Sequence, residues 1–262
     1  MTLFVSFLLL TLPIISNGLQ LSHEKLQSTF QSYDNELIDQ VCGRDTVPGK
    51  GPFYASIELT GLNYKLCSGV LISNQWVLTA AYCTTSDEWN NKTIGVEKSY
   101  IHPDIDSRTE ENNIALLLLK EPVQFSRNIQ PICLPEPGED ETFYGRHGTV
   151  NGFKKLHRME RKSPSNLQIT TSPIIRSDDC GKSYAKVGRR DKAFINNSLM
   201  CAGYSNDVED VCFSRLGNPL MVNVEKHWVL ASMNNIGCAK VPLPEKLAAI
   251  SSSVLTIIFQ LF

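Results

Sequence analysis

Eight cysteines are the residues of this chain whose type and spacing bear most directly on chemistry. None of them forms a C-x-x-C pair, which argues against a zinc ribbon or a thioredoxin-type redox couple. An even number of scattered cysteines fits a disulfide framework, provided that the chain passes through an oxidising compartment. Two glycosylation sequons, Asn91-Lys92-Thr93 and Asn196-Asn197-Ser198, fit the same route and nominate Asn91 and Asn196 as glycan carriers.

The N-terminus meets that condition. Phe4 to Ile15 is almost wholly apolar, and the small or polar Ser16, Asn17 and Gly18 follow it. A run of about 12 residues is too short to cross a hydrocarbon core and has the form of a secretory signal, although no Lys or Arg precedes it. The expected organisation is a signal peptide over 1–18, a short polar leader over 19–44 and one domain over 45–262.

The elements that must position any site are short. From Phe53 onwards, apolar runs alternate with stretches rich in Gly, Asn and Pro. The runs are Tyr54–Leu59, Gly69–Ile72, Trp76–Ala81, Ile114–Leu119, Thr149–Phe153, Leu167–Thr170, Pro219–Val224 and His227–Ser232. That punctuation predicts many short strands and an all-β sandwich or barrel. No long amphipathic helix is apparent before the C-terminus. With 42% hydrophobic and 20% charged residues among 262, a globular core is expected and wholesale disorder is not. A net charge of -2 gives no overall attraction to nucleic acid.

Several motifs are specific. Trp76-Val77-Leu78-Thr79-Ala80-Ala81-Tyr82-Cys83 resembles the W-V-L-T-A-A-H-C segment of chymotrypsin/trypsin-like serine proteases. Asn113-Ile114-Ala115-Leu116-Leu117 resembles D-I-A-L-L, and Gln130 to Pro135 resembles Q-P-I-C-L-P. Met200 to Tyr204 is similar to the C-A-G-Y stretch, and Asp210 to Leu220 to D-x-C-x-G-D-S-G-G-P-L. The matches are colinear over residues 42 to 250 or so. The resemblance implies two six-stranded antiparallel β-barrels with a C-terminal helix. It also implies four disulfides, Cys42–Cys133, Cys67–Cys83, Cys180–Cys201 and Cys212–Cys238, and neither metal nor cofactor.

The same resemblance places a degenerate triad. The family needs a Ser nucleophile, a His base and an Asp that orients the His. At the matching positions stand Leu216, Tyr82 and Asn113. Leucine has no nucleophilic atom, a phenol titrating near ~10 is a poor acceptor at neutral pH, and a carboxamide has no charge to stabilise an imidazolium. None of the five histidines, His23, His102, His147, His157 and His227, is brought beside a nucleophile by the alignment; His102 falls in a surface turn of the family. Arg44 is followed by Asp45-Thr46-Val47-Pro48 rather than I-V-G-G, and the Asp that would receive a freed N-terminus is Arg215. Asp210 remains at the position that gives trypsin-like members their Arg/Lys preference; a plain internal salt bridge with Arg215 accounts for both residues.

From Lys154 to Lys192 the chain carries 11 basic and 4 acidic residues. Solvated loops account for that run; an exosite for an acidic glycosaminoglycan, through Lys182, Lys186, Arg189, Arg190 and Lys192, is the functional alternative. Leu247 to Phe262 is uncharged and reads as the family's docked C-terminal helix, or alternatively as a GPI-attachment signal that would place the protein on the cell surface. Together these features describe a secreted serine protease homologue that acts without catalysis, by binding an unidentified protein or regulating proteolysis. The alternatives are an atypical peptidase and a GPI-anchored adhesion or receptor component.

Overall fold

A computed structural model describes residues 41–44, 51–59, 64–84, 94–107, 111–136, 138–152, 168–186, 199–203, 216–234 and 245–249. The first sheet is built from β1 (Tyr54–Leu59), β2 (Tyr64–Leu71), β3 (Trp76–Thr79), β4 (Val96–Ile101) and β5 (Ala115–Leu119). Its order is β1-β2-β3-β5-β4, antiparallel throughout. The second sheet comprises β6 (His147–Gly152), β7 (Gln168–Ile175), β8 (Leu199–Ala202), β9 (Pro219–Val224), β10 (His227–Asn234) and β11 (Glu245–Ala249). It closes on itself in the order β10-β11-β8-β7-β6-β9. The fold is therefore mostly β and antiparallel in two sheets. Among the described residues, the first sheet has five strands and not the six expected of a closed barrel.

Period-two side-chain alternation explains why β3 is buried along its whole length. Trp76 and Leu78 enter one core with Val70, Leu116 and Ile132, whereas Val77 enters another with Leu71, Leu117 and Leu119. The first of these cores also takes Met221, Leu230 and Met233 from the second sheet, so it joins the two halves. The linker reinforces the joint. Ile132 N–H donates to the Leu71 carbonyl (2.9 Å), Leu230 N–H to the Cys133 carbonyl (2.9 Å) and Trp228 N–H to the Gly43 carbonyl (2.8 Å).

Cys42 and Cys133 are bonded across this joint, at a sequence separation of 91. Replacing both by Ser should lower stability by about 2–5 kcal/mol, because so long a loop is no longer closed in the unfolded chain. Urea unfolding of the oxidised proteins would measure it, and an unchanged midpoint would show that the hydrogen bonds alone hold the joint. Cys67–Cys83 and Cys180–Cys201 are also formed. Cys180 lies on helix α1 (Ser177–Lys186), which it fixes to Cys201 of β8.

The C-terminal expectation needs correction at its start. Leu247, Ala248 and Ala249 are not helical but belong to β11. Their backbone pairs with β10 and β8 (Asn234↔Leu247, Leu247↔Met200), and two neighbouring strands override a helix-compatible composition. Residues 250–262 lie outside the described residues.

Candidate functional site

β3 ends at the buried Thr79, and the small buried Ala80 and Ala81 let the chain turn tightly into a 3-10 turn over Ala81–Thr84. Cys83 N–H donates to the Ala80 carbonyl (2.9 Å), and Thr84 Oγ1 donates to the Ala81 carbonyl (2.7 Å). With Cys83 also bonded to Cys67 of β2, the half-buried Tyr82 between them is held on a rigid support. Thr79 pairs with Ala115, so Asn113, two residues before β5 begins, arrives opposite this turn. The Tyr82 backbone N–H donates to Asn113 Oδ1 at 3.1 Å. Asn113 is completely excluded from solvent, and its Nδ2 has no hydrogen-bond partner among the described residues.

Leu216 approaches from the other half of the chain, just before β9. Its carbonyl accepts the Ser68 N–H at 2.8 Å, and the Ser68 carbonyl accepts Thr79 Oγ1 at 2.7 Å. Gly217, at φ 79°, is pressed against that same Ser68 carbonyl. The half-buried Leu216 side chain packs on the cluster that includes Ile57, Cys67, Ala80 and Cys83. All three sequence-nominated positions thus gather near the Cys67–Cys83 turn: Tyr82 and Asn113 are joined by a direct bond, and Leu216 packs on the cluster that contains both cysteines.

Tyr82 is oriented through its backbone by a neutral amide oxygen, and the leucine contributes only apolar surface. Among the described residues, no histidine ring is hydrogen-bonded to a hydroxyl: His102 Nδ1 accepts the Asp104 N–H, and His227 Nδ1 lies 3.2 Å from the Glu225 carbonyl. No group of three His, Cys, Asp or Glu side chains among them is placed to hold a metal ion.

His102 leads into the expected surface turn, where Pro103 and Asp104 are exposed, but His102 itself is only 2% exposed. Burial pushes its pKa below the usual imidazole value, and the Asp104 carboxylate opposes that shift. Nothing local in Ile101-His102-Pro103 announces this burial, which is set by packing of the turn against the segment that carries Asn113.

Other nominated residues are less informative. Lys182 is exposed and bonded to Asp179 (2.8 Å), and the adjacent Arg176 lies 3.8 Å from Glu141, so these two cations of the basic run are already faced by carboxylates. Lys186 closes α1. Arg189, Arg190, Lys192, Asp210, Arg215, Asn91, Asn196 and the Cys212–Cys238 pair lie outside the described residues, as do residues 1–40. Among the described residues, no helix is long and apolar enough to cross a membrane.

Two antiparallel sheets joined by a buried core, with a site at the Cys67–Cys83 turn, define the class as a chymotrypsin-like serine protease domain. The family model described as Trypsin matches residues 40–256, and the chain belongs to that family. It is 30% identical over 230 residues to "Serine proteinase stubble" of Drosophila melanogaster, an alignment that covers 78% of this chain and 29% of that protein. It is 35% identical over 199 residues to "Serine protease filzig" of the same organism, covering 68% of this chain and 12% of that protein. The chain therefore spans less than a third of either relative.

Proposed function

We propose that this protein is a secreted, non-catalytic member of the trypsin family that acts by binding protein or by regulating proteolysis. The observation that carries the reading is the set Tyr82, Asn113 and Leu216 at the triad positions, with Asn113 spent on a backbone amide and Leu216 on apolar packing. A framework that keeps two antiparallel sheets and three bridges among the described residues, with Tyr82, Asn113 and Leu216 in place of base, carboxylate and nucleophile, is suited to recognition. Both named relatives are called serine proteases, and that activity is theirs. Secretion is supported by the apolar Phe4–Ile15 run and by buried disulfides, which persist in oxidising compartments. The partner is a protein of unidentified kind; a glycosaminoglycan at the basic run and a GPI anchor remain subsidiary proposals.

A fluorophosphonate probe tests the catalytic half of this reading. The wild-type protein should remain unlabelled, and Leu216→Ser should react at least ~1,000-fold more slowly than an active trypsin control, because no imidazole accepts the serine proton. The substitution should cost only about 1 kcal/mol, as Leu216 is half-buried, so the variant remains folded for the comparison. Labelling of the wild-type chain would overturn the proposal and make an enzyme the leading reading.

A further inference from the structure

The turn that delivers Asn113 is closed by a continuous circuit of hydrogen bonds that begins at a buried imidazole. The Asp104 N–H donates to His102 Nδ1 (3.1 Å). The Asp104 carbonyl accepts Asn112 Nδ2 (3.0 Å). Ile114 N–H donates to the Asn112 carbonyl (2.7 Å), and His102 N–H donates to the Ile114 carbonyl (3.1 Å). Asn113 sits inside this circuit, between Asn112, held at φ 54°, and Ile114, and its own Oδ1 reaches out to the Tyr82 N–H.

The circuit works only while His102 is neutral. Its Nδ1 acts as an acceptor, and an imidazolium has two donors and no acceptor. Protonation would turn one N–H against another at the Asp104 amide and place a charge at a site 2% exposed. Asp104 then has to swing away and take its carbonyl from Asn112. Asn112, at φ 54°, then loses its side-chain tether and is left with the Ile114 N–H bond to its carbonyl, a weaker hold on this turn.

We propose that His102 makes the Tyr82–Asn113 junction acid-sensitive: protonating the buried ring breaks the hydrogen bonds that link His102, Asp104 and Asn112 and releases the Tyr82 amide from Asn113. The inference concerns the junction itself and stands whether or not the site has catalytic activity. Burial holds the folded ring below the usual value of about 6.5, so the unfolded chain takes up the proton first; the junction is closed above that pH and opens as the pH falls below it.

Among the described residues, the charged groups on the elements packed beside the ring are few. Asp104 on its own turn opposes the burial effect. Asp106 and Glu111 close the far side of the turn as an antiparallel bridge. On β4, Glu97 and Lys98 are exposed, with the Lys98 ammonium over the Tyr100 ring. β5 carries no titratable side chain.

NMR titration of the full-length secreted protein from pH 7.5 to 4.5 tests the proposal. The His102 ring proton and the Tyr82 amide should move with one shared midpoint below the usual imidazole range. In His102→Asn, whose Oδ1 can accept from the Asp104 amide at every pH, the Tyr82 amide should stay fixed across the range. A Tyr82 response that persists in this variant would assign the effect to the carboxylates and overturn the proposal. Should His102→Asn fail to fold, Asn112→Ala decides, because it cuts the circuit away from the buried ring. There His102 should still titrate while Tyr82 falls silent. A wild-type Tyr82 amide that ignores His102 protonation, or an Asn112→Ala protein in which both still move together, would sink the idea.

Discussion

Asn113→Asp should destabilise the protein by about 3 kcal/mol at pH 7, although it restores the residue type that the family uses at this position. The change is close to isosteric. The Tyr82 N–H still finds an oxygen, and the departing Nδ2 had no partner among the described residues to lose. What changes is charge, introduced at a position with no exposure to water and with no cation at position 82. Desolvation should raise the folded carboxyl above its unfolded value of about 3.9. The unfolded state then releases the proton more readily than the folded one. The penalty is therefore absent below about pH 4 and grows as the pH rises, by up to about 1.4 kcal/mol per pH unit, until the folded carboxyl ionises. Adding Tyr82→His should recover about 1–2 kcal/mol near pH 6, where an imidazolium can pair with the new carboxylate. Urea unfolding of the wild-type, single and double variants between pH 4 and 8 measures the whole cycle. A single variant as stable as the wild type at pH 7 would mean that water reaches the Asn113 side chain. On this argument Tyr82 and Asn113 are matched to each other, and neither returns to the family type without cost unless the other does.

How much of this was legible in the sequence depended on whether the signal was local. β1 (Tyr54–Leu59) and β9 (Pro219–Val224) are bounded as the apolar runs suggest, because turn residues flank strongly apolar segments. β4 was not read from V-E-K-S-Y-I. Two charged residues sit in its middle, and it is a strand because Lys98 to Ile101 pair with Leu118 to Ala115 of β5. β11, E-K-L-A-A, has a helix former's composition and owes its extended form to β8 and β10. The runs ending at Val224 and starting at His227 placed the β9–β10 turn, but not its conformation: Glu225 and Lys226 both take positive φ without the Asn-Gly pair that usually announces such a turn. At the site, colinear motifs located Tyr82, Asn113 and Leu216, yet their new partners had no signature. That an amide at position 113 would serve a backbone N–H, and that His102 would be buried behind it, follow from which surfaces meet in the fold.

The contact that carries Leu216 to the first sheet yields the sharpest expectation about backbone shape. Gly217→Ala should cost about 3 kcal/mol, from two effects at one atom. The residue sits at φ 79°, a conformation in which any side chain is strained. A Cβ there would also run into the Ser68 carbonyl and lie 2.7 Å from Thr79 Oγ1. These are the atoms of the 2.7 Å Thr79–Ser68 bond, and the neighbouring Ser68 N–H holds the Leu216 carbonyl, so the methyl can be housed only by prising β9's entry strand from β2. Gly145 provides the control. It has a similar φ of 83° but nothing within 4 Å of an added Cβ, so Gly145→Ala should cost about 1 kcal/mol, the conformational part alone. Denaturant midpoints give the two costs, and hydrogen exchange at the Ser68 amide reports whether the difference arises at this contact. Faster exchange at Ser68 in Gly217→Ala, with none in Gly145→Ala, would place the loss at the junction between the halves. Equal costs for the two variants would instead assign the whole penalty to positive φ, and Leu216 would then be held by its apolar packing on the Cys67–Cys83 turn rather than by its backbone.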